Sequence, residues 1–295
     1  MAHEVPYLDE SQGLRDALRS ARLLYTDLDG TLIARGGCVL ADADGEPSTR
    51  VAEAIVSAKK AGIRIVPVSG RGRLQLLELT RLLGWQDFIA EAGGVIVHGN
   101  GEGAQTIFNI GEWDEATLEP GQTPYEIIED SGALEILAEV FPGRIEYHAP
   151  WHENREITHV LRGCVDRSRA QAVLDDVSPS IDFVDNGIVR NRGKLRCVGE
   201  PHAYHLVPRG VSKAGAILAD LARRGLGPQD AVAIGDSASD LGMAEAVGTL
   251  VLVGNAFDST GVTTALETGS FANVVRTAGQ RGDGWAELIN AWIAE

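Results

Sequence analysis

The sequence predicts an α/β fold, with a doubly wound parallel-sheet core and an inserted α+β segment. Two observations lead to this prediction. Short apolar runs alternate with amphipathic stretches of helix length in the first hundred residues, and the same rhythm returns near the end of the chain. Strands that alternate with such helices favour a parallel sheet covered on both faces. The middle is richer in Glu, Gly and Pro, so both ends of the chain are predicted to build the core.

The first part of the chain predicts strands and helices in alternation. The run RLLYT indicates a buried strand, and STRVAEAIVSAKKAG a helix with Ser48 as its N-cap and Gly62 past its end. The run IRIVPVS indicates the next strand, although Pro67 is hard to place in a central ladder. A helix (GRLQLLELTRLLG) and a short strand pair (DFIAEAGGVIV) follow.

The last part of the chain repeats this order. A helix capped by Ser212 (SKAGAILADLARRG) precedes a strand (DAVAIGD), a short helix (ASDLGMAEAVG) and another strand (GTLVLVGNA). The closing stretch, DGWAELINAWIAE, is typical of an amphipathic helix. The predicted core is therefore residues 1–98 and 209–295.

The segment between these parts, residues 99–208, is predicted to form an inserted cap domain. It holds one clear helix, DRSRAQAVLDDV, and a hairpin-like piece with Asn186-Gly187 at the turn. An insertion that leaves and re-enters a parallel domain there is expected to form a lid above the carboxyl edge of the sheet.

Composition limits the classes of protein. The formal net charge of -16 argues against general binding to nucleic acids or anionic membranes. The three cysteines, Cys38, Cys164 and Cys197, are odd in number and form no CxxC, which favours reduced thiols in the cytoplasm. The first twenty residues lack the apolar region of a signal peptide, and no apolar run is long enough to span a membrane.

Polar residues are expected to meet at one edge of the sheet. Asp27 follows the first strand, Ser69 the second and Asp236 a later one, while Lys213 begins a helix. Ligands of parallel α/β sheets bind beyond the carboxyl ends of the strands. Bunched carboxylates resist joint ionisation, and Mg²⁺, which prefers oxygen ligands, removes this conflict.

The same positions suit a phosphate group. Ser69 and backbone N–H groups can donate hydrogen bonds to its oxygens, and Lys213 can neutralise one of its charges. Asp27 can attack phosphorus and form an aspartyl-phosphate, while Asp29 protonates the leaving oxygen and later deprotonates water.

These motifs resemble those of the haloacid dehalogenase-like hydrolase superfamily. DLDGT is similar to its first motif, SGR to its second, SKAGA to its third and GDSASD to its fourth, in the same order. The large insertion between the second and third motifs resembles the α/β cap of the Cof-type (IIB) branch. Two departures concern the subfamily: Ser239 stands where Asn is common, and EAGG at residues 91–94 replaces NNG or ENG.

The resemblance implies a role for each matching residue. Asp27 would be the nucleophile and a metal ligand, and Asp29 the acid/base with its backbone carbonyl on the metal. The remaining roles are phosphate binding by Ser69, Gly70 and Lys213, and metal binding by Asp236 and Asp240.

Substrate contacts are predicted less directly. The candidates are Arg71, Arg155, Arg190 and Asn255, and for the cap arginines, which also include Arg162 and Arg192, a solvated strand position is an equal alternative. The cluster of His148, His152 and His159 lacks HExxH spacing, so surface or substrate contacts are favoured over zinc.

The sequence therefore predicts a cytoplasmic, Mg²⁺-dependent phosphatase for a small phosphomonoester, either a sugar phosphate or a phosphoglycerate-type acid. Two alternatives stay open. A phosphomutase of the same fold would release little free phosphate, and a non-catalytic sensor of a phosphorylated ligand would have no need of Asp29.

Overall fold

The computed structural model describes residues 5–34, 37–99, 101–118, 120–189, 191–269 and 271–294. Its strands are β1 (Leu23–Thr26), β2 (Arg64–Pro67), β3 (Phe88–Ala90), β4 (Val95–His98), β5 (Gln105–Phe108), β6 (Ile145–Tyr147), β7 (His159–Gly163), β8 (Ile181–Ile188), β9 (His202–Pro208), β10 (Ala231–Gly235), β11 (Thr249–Leu252) and β12 (Val274–Arg276). Its α-helices are α1 (Gln12–Ser20), α2 (Arg50–Lys60), α3 (Arg73–Leu83), α4 (Pro124–Asp130), α5 (Ala133–Val140), α6 (Arg167–Leu174), α7 (Lys213–Arg223), α8 (Ala238–Leu241), α9 (Thr260–Thr268) and α10 (Arg281–Ala294).

The core is a parallel sheet. Within the described residues it has five strands in the order β12-β11-β10-β1-β2, and β1 pairs with β10 and β2. Successive residues of β1 point to opposite faces, so Leu24 joins one buried apolar cluster and Tyr25 the other. Helices cover both faces, and the predicted doubly wound α/β core is confirmed.

A second, antiparallel sheet lies in the inserted segment. Its strands, as far as the structure describes them, run in the order β6-β7-β9-β8. Leu161, Phe183 and Leu206 on one face pack with residues of α4, α5 and α6 into a third apolar cluster. The opposite face of this sheet is free of those helices. Between the two large sheets β3, β4 and β5 form a small antiparallel one.

Three local predictions change. Pro67 lies at the end of β2, an edge strand of the parallel sheet, where a missing N–H is tolerated. Helix α2 begins at Arg50 after Thr49, so Ser48 is not its N-cap. Asn186-Gly187 is not a hairpin turn, because β8 continues through it to Ile188 with a register shift.

The expectation of reduced thiols is wrong for two of the three cysteines. Cys164 and Cys197 form a disulfide, with their Cα atoms 6.1 Å apart, and Cys38 is free and exposed. Cys164 follows β7, and the connection from β8 to β9 brings Cys197 beside it. Their sequence separation of 33 positions hid this proximity from the sequence. The cytoplasmic location stays a prediction, and in the described part of the chain no helix has the length and apolarity to cross a membrane.

Candidate active site

The polar residues predicted to meet do lie together at the carboxyl edge of the parallel sheet. Asp27 directly follows β1, Asp236 directly follows β10, and Lys213 is the first residue of α7. The Asp27 backbone N–H donates to the Ile234 carbonyl at 2.9 Å. The hydrogen bonds between β1 and β10 therefore fix the position of the Asp27 backbone, from which its carboxylate extends. Ser69 lies two residues beyond β2 and is also buried.

Lys213 joins two of the acids. Its Nζ donates to Asp27 Oδ1 at 2.7 Å and to Asp240 Oδ1 at 2.6 Å, and all three side chains are buried. Burial alone would lower the pKa of Lys213, but the Asp240 and Asp27 carboxylates raise it, so the lysine is charged. Lys213 therefore pairs with two buried carboxylates at once.

The electrostatics show a shortage of positive charge. Burial and the neighbouring Asp240 raise the pKa of Asp27 to about 7, although Lys213 opposes the shift. Burial, Asp27 and Asp240 likewise raise the pKa of Asp236 well above its ordinary value. Lys213 alone therefore does not balance the negative charge of these carboxylates.

The donor set fits a divalent cation. Asp27, Asp236 and Asp240 each offer a carboxylate oxygen, and these oxygens lie within 4.8 Å of one another. Hard oxygen donors are those that Mg²⁺ prefers, and its charge would relieve the repulsion among the acids. Asp240 suits direct binding least, because its Oδ2 already accepts three hydrogen bonds from the loop that follows β10.

Asp240 organises the loop between β10 and α8. Its Oδ2 accepts hydrogen bonds from the Asp236 and Ser237 backbone N–H groups and from the Ser237 hydroxyl at 2.6 Å. Ser239, which stands where Asn was expected, lies 2.8 Å from that hydroxyl through its own Oγ. The loop is thus held by short polar side chains of its own sequence.

Gly30 permits the close approach of two segments. It has a φ of +95°, and a Cβ atom there would lie 2.3 Å from Asp236 Oδ2. Thr31 Oγ1 then donates to Asp27 Oδ2 at 3.1 Å. Asn255, a predicted substrate contact, instead donates to the Gly30 carbonyl at 3.0 Å and to Asp236 Oδ2 at 3.1 Å.

Asp29 points away from the buried acids. Its carboxylate is more than half exposed and forms a bidentate pair with Arg71, at 2.8 Å from Nε and 2.6 Å from Nη2. The Asp29 carboxylate raises the pKa of Arg71. Arg71 therefore lies beside the candidate acid/base, and its contact with a substrate stays a prediction.

The inserted segment contacts the loop after β2. Arg155 Nη2 donates to the Gly70 carbonyl at 3.0 Å, while its other donors reach the Trp151 carbonyl and Thr158 Oγ1. The Arg155 guanidinium is thus occupied by protein acceptors. Arg190 lies outside the described residues.

The other cap arginines are also paired within the inserted segment. Arg162 pairs with Glu146 at 2.7 Å, and Arg192 donates to the backbone carbonyls of Cys197 and Gly199.

The sequence was also compared with known families. A model of the haloacid dehalogenase-like hydrolases matches residues 24–111 and 184–266, more than half of the chain. The chain belongs to this family.

Curated relatives and solved structures agree with this family. A phosphoglycolate phosphatase of Methanoculleus marisnigri is 28% identical over 277 residues, which cover 92% of this chain and 96% of the relative. A crystal structure of a Thermoplasma acidophilum protein has a TM-score of 0.59 at 19% identity, over 92% of this chain and 98% of that one. The sucrose-phosphatase of Synechocystis has the same TM-score and coverage at 14% identity, in a complex with sucrose and phosphate. The two structures show that the fold is shared.

Sequence reasoning missed two residues of this hydrolase that join the inserted segment to the core. Glu91, fully buried, accepts hydrogen bonds from the backbone N–H groups of Glu156, Ile157 and Thr158 at 2.8–3.0 Å. The motif EAGG does not indicate that Glu91 has a φ of +53°, nor that its side chain reaches residues 156–158. His205 of β9, buried beside Gly70, carried no motif at all.

Proposed function

We propose that this hydrolase is a Mg²⁺-dependent phosphatase that cleaves a small phosphomonoester through an aspartyl-phosphate on Asp27. The observation that carries the proposal is the buried pair of Asp27 and Lys213, 2.7 Å apart, beside Asp236 and Asp240 at the carboxyl edge of the sheet. A carboxylate held by a lysine among further acids suits nucleophilic attack on a phosphate that needs cations around it.

Several groups at the carboxyl edge of the sheet would bind the phosphate together. The Ser69 hydroxyl and the backbone N–H groups after it can donate to phosphate oxygens, and Lys213 supplies a positive charge. Because Thr31 and Lys213 donate to different oxygens of Asp27, the orientation of its carboxylate is fixed before substrate enters. Mg²⁺, held by Asp27, Asp236 and the main chain at Asp29, would supply positive charge to the phosphate oxygens and lower the repulsion towards an anionic nucleophile.

The reaction then has two steps. An Asp27 carboxylate oxygen bonds to phosphorus as the ester oxygen leaves, and Asp29 gives that oxygen a proton. Asp29 next takes a proton from water, whose oxygen attacks phosphorus, and this releases inorganic phosphate and regenerates Asp27. Asp29 is exposed beside the acid cluster, and to act as the acid/base it must release Arg71, which binds both of its carboxylate oxygens in this structure.

The inserted segment, residues 99–208, serves in this proposal as a cap, with residues 1–98 and 209–295 as the catalytic core. The hydrogen bond from Arg155 to Gly70 and the contacts of Glu91 support it, because both join the segment to the phosphate-binding side of the core. A lid there would exclude water and select the alcohol part of the substrate.

The substrate is a small phosphorylated metabolite, either a phosphoglycerate-type acid or a sugar phosphate. The curated relative that spans 92% of the chain is a phosphoglycolate phosphatase, which favours the acid. Phosphoglycolate is therefore the first substrate to test.

The test is phosphate release from a panel of 2-phosphoglycolate, 3-phosphoglycerate, glucose 6-phosphate and p-nitrophenyl phosphate, with Mg²⁺ and with EDTA. We expect Mg²⁺-dependent release from at least one small acid. No release from any ester would overturn the proposal. Transfer to a second hydroxyl of a sugar, with little free phosphate, would favour a mutase, and tight binding without turnover a sensor.

A further inference from the structure

His205 lies on the face of the cap sheet that is turned away from its helices. Tyr204 and Leu206, its neighbours on β9, belong to the apolar cluster under α4, α5 and α6. Since side chains alternate along a strand, His205 points to the opposite side. Its partners in register are Val160 on β7 and Val184 on β8, so it stands in the middle of that face.

This face meets the candidate phosphate-binding loop at His205. A Cβ atom added to Gly70 would lie 3.2 Å from both Cε1 and Nε2 of the His205 ring, and 3.1 Å from Asn186 Nδ2. The ring therefore packs against the residue next to Ser69. Although it comes from the inserted segment, it borders the site where the phosphate group is proposed to bind.

One of the two ring nitrogens has no partner in the described part of the protein. His205 is 2% exposed, and its buried Nδ1 has no hydrogen-bond partner among the described residues. A buried polar nitrogen without a partner destabilises a protein, so its retention calls for an explanation. One explanation is that a bound ligand supplies the missing hydrogen-bond partner of this nitrogen.

The charges around His205 favour a negative ligand. Burial, together with Arg155, Lys213 and His148, lowers the pKa of His205 well below its ordinary value. The ring is therefore neutral at pH 7 and can donate one hydrogen bond. The charged groups with the largest effect on it are basic, and a neutral donor beside them suits an acceptor-only group that carries negative charge.

We propose that His205 is a substrate-binding residue that recognises a carboxylate on the same small molecule that carries the phosphate. The inference rests on the proposed phosphatase function and narrows its substrate class to phosphorylated carboxylic acids. Three of the five N–H groups of Arg155 already donate to Gly70, Trp151 and Thr158, whereas the Nδ1 atom of His205 has no such partner among the described residues.

The test uses two substrates that differ only in this group: 2-phosphoglycolate, with a carboxylate, and 2-hydroxyethyl phosphate, with a hydroxymethyl group. We expect His205→Phe to lower kcat/KM for phosphoglycolate about 10- to 100-fold, mainly through KM, since one hydrogen bond to a charged group is lost. The value for hydroxyethyl phosphate should change less than about twofold. His205→Gln, which keeps a donor, should retain most of the preference.

His202→Gln is the matched control, because His202 lies on the same strand but pairs with Asp185. We expect it to leave the ratio of the two substrates unchanged. An equal loss for both substrates in His205→Phe, or a wild-type ratio in both His205 variants, would overturn the inference while the phosphatase proposal stands. A wild-type protein that prefers hydroxyethyl phosphate would overturn it as well. A wild-type protein without phosphatase activity on any ester would overturn both.

Discussion

Asp27 is the residue on which the proposed chemistry depends most directly. Its carboxylate is fixed by Lys213 on one oxygen and by Thr31 on the other, and it is almost completely buried. This arrangement restricts the motion of the carboxylate. A nucleophile needs such a fixed orientation in order to attack phosphorus in line. The same arrangement makes substitutions at this position informative.

We expect Asp27→Asn to fold normally and to lose at least about 1,000-fold in kcat, because an amide cannot attack phosphorus. Phosphate release measures activity, and circular dichroism checks the fold. Asp176→Asn, which changes an exposed acid on the inserted segment, should retain wild-type activity. An Asp27→Asn protein with more than a tenth of wild-type turnover would refute the nucleophile assignment.

Gly30 is a second residue whose identity is set by geometry. We expect Gly30→Ala to lower the free energy of unfolding and to impair turnover, because its Cβ would lie 2.3 Å from Asp236 Oδ2. Gly45→Ala separates the clash from backbone strain, since Gly45 has a φ of +97° and open space around it. Urea denaturation should show a cost of about 1 kcal/mol for the control and a larger one for Gly30→Ala. Equal costs would mean that the contact with Asp236 does not matter.

At the scale of elements, a short segment of the cap is tied to the core by one carboxylate. Glu91 accepts three backbone N–H groups from residues 156–158, and Arg73 pairs with Glu156 at 2.6 Å. Three N–H groups that converge on one buried carboxylate form a strong site. These contacts hold the inserted segment against the core on the side where phosphate binding is proposed.

We expect Glu91→Gln to lower the free energy of unfolding by about 1–3 kcal/mol, because its amide NH₂ would face backbone donors. Glu153→Gln, an exposed neighbour on the inserted segment, should have little effect. Urea denaturation at pH 7.5 measures both. If the two variants are equally stable, Glu91 does not hold the segment.

The stacked pair of Tyr125 and His159 predicts a response of the cap to acid. Burial lowers the pKa of His159 to about 4, although its hydrogen bond to the Tyr125 carbonyl opposes this. Its ordinary pKa is about 6.5, so below that pH the unfolded chain binds a proton that the folded one does not. His159 thus lowers the free energy of unfolding as the pH falls from about 6.5 towards 4.

We expect His159→Gln to reduce the slope of unfolding free energy against pH between 6.5 and 5, as followed by urea denaturation. Part of the slope should remain, because burial also lowers the pKa of His148 and His205. An unchanged slope in the variant would show that His159 gains its proton in the folded protein too.

For the whole molecule, the proposed metal site predicts that metal binding stabilises the folded state. A ligand that binds only the folded state stabilises it by mass action, and Mg²⁺ also removes repulsion among Asp27, Asp236 and Asp240. We expect Mg²⁺ to raise the Tm, EDTA to abolish turnover, and Ca²⁺ to restore it poorly because it admits more ligands than Mg²⁺. Thermal unfolding and phosphate release test this, and full activity after exhaustive metal removal would contradict it.

The sequence by itself determined the chemistry of the core. The apolar runs that end in Asp27, Ser69 and Asp236 are buried parallel strands, and parallel strands necessarily bring their carboxyl ends to one edge. Local patterns also set most helices, because their apolar spacing and flanking glycines act within a few residues. For this reason the family was recognisable from four short motifs.

Only the tertiary structure decided the contacts between distant segments. Three such contacts join residues that are tens of positions apart. They are the ion pair of Asp29 with Arg71, the hydrogen bonds from residues 156–158 to Glu91, and the disulfide between Cys164 and Cys197. No spacing rule encodes such pairs, because they depend on how one sheet is placed above another. His205 shows the same limit, because its strand was not predicted and the face it presents to Gly70 follows only from the docking of the inserted segment on the core.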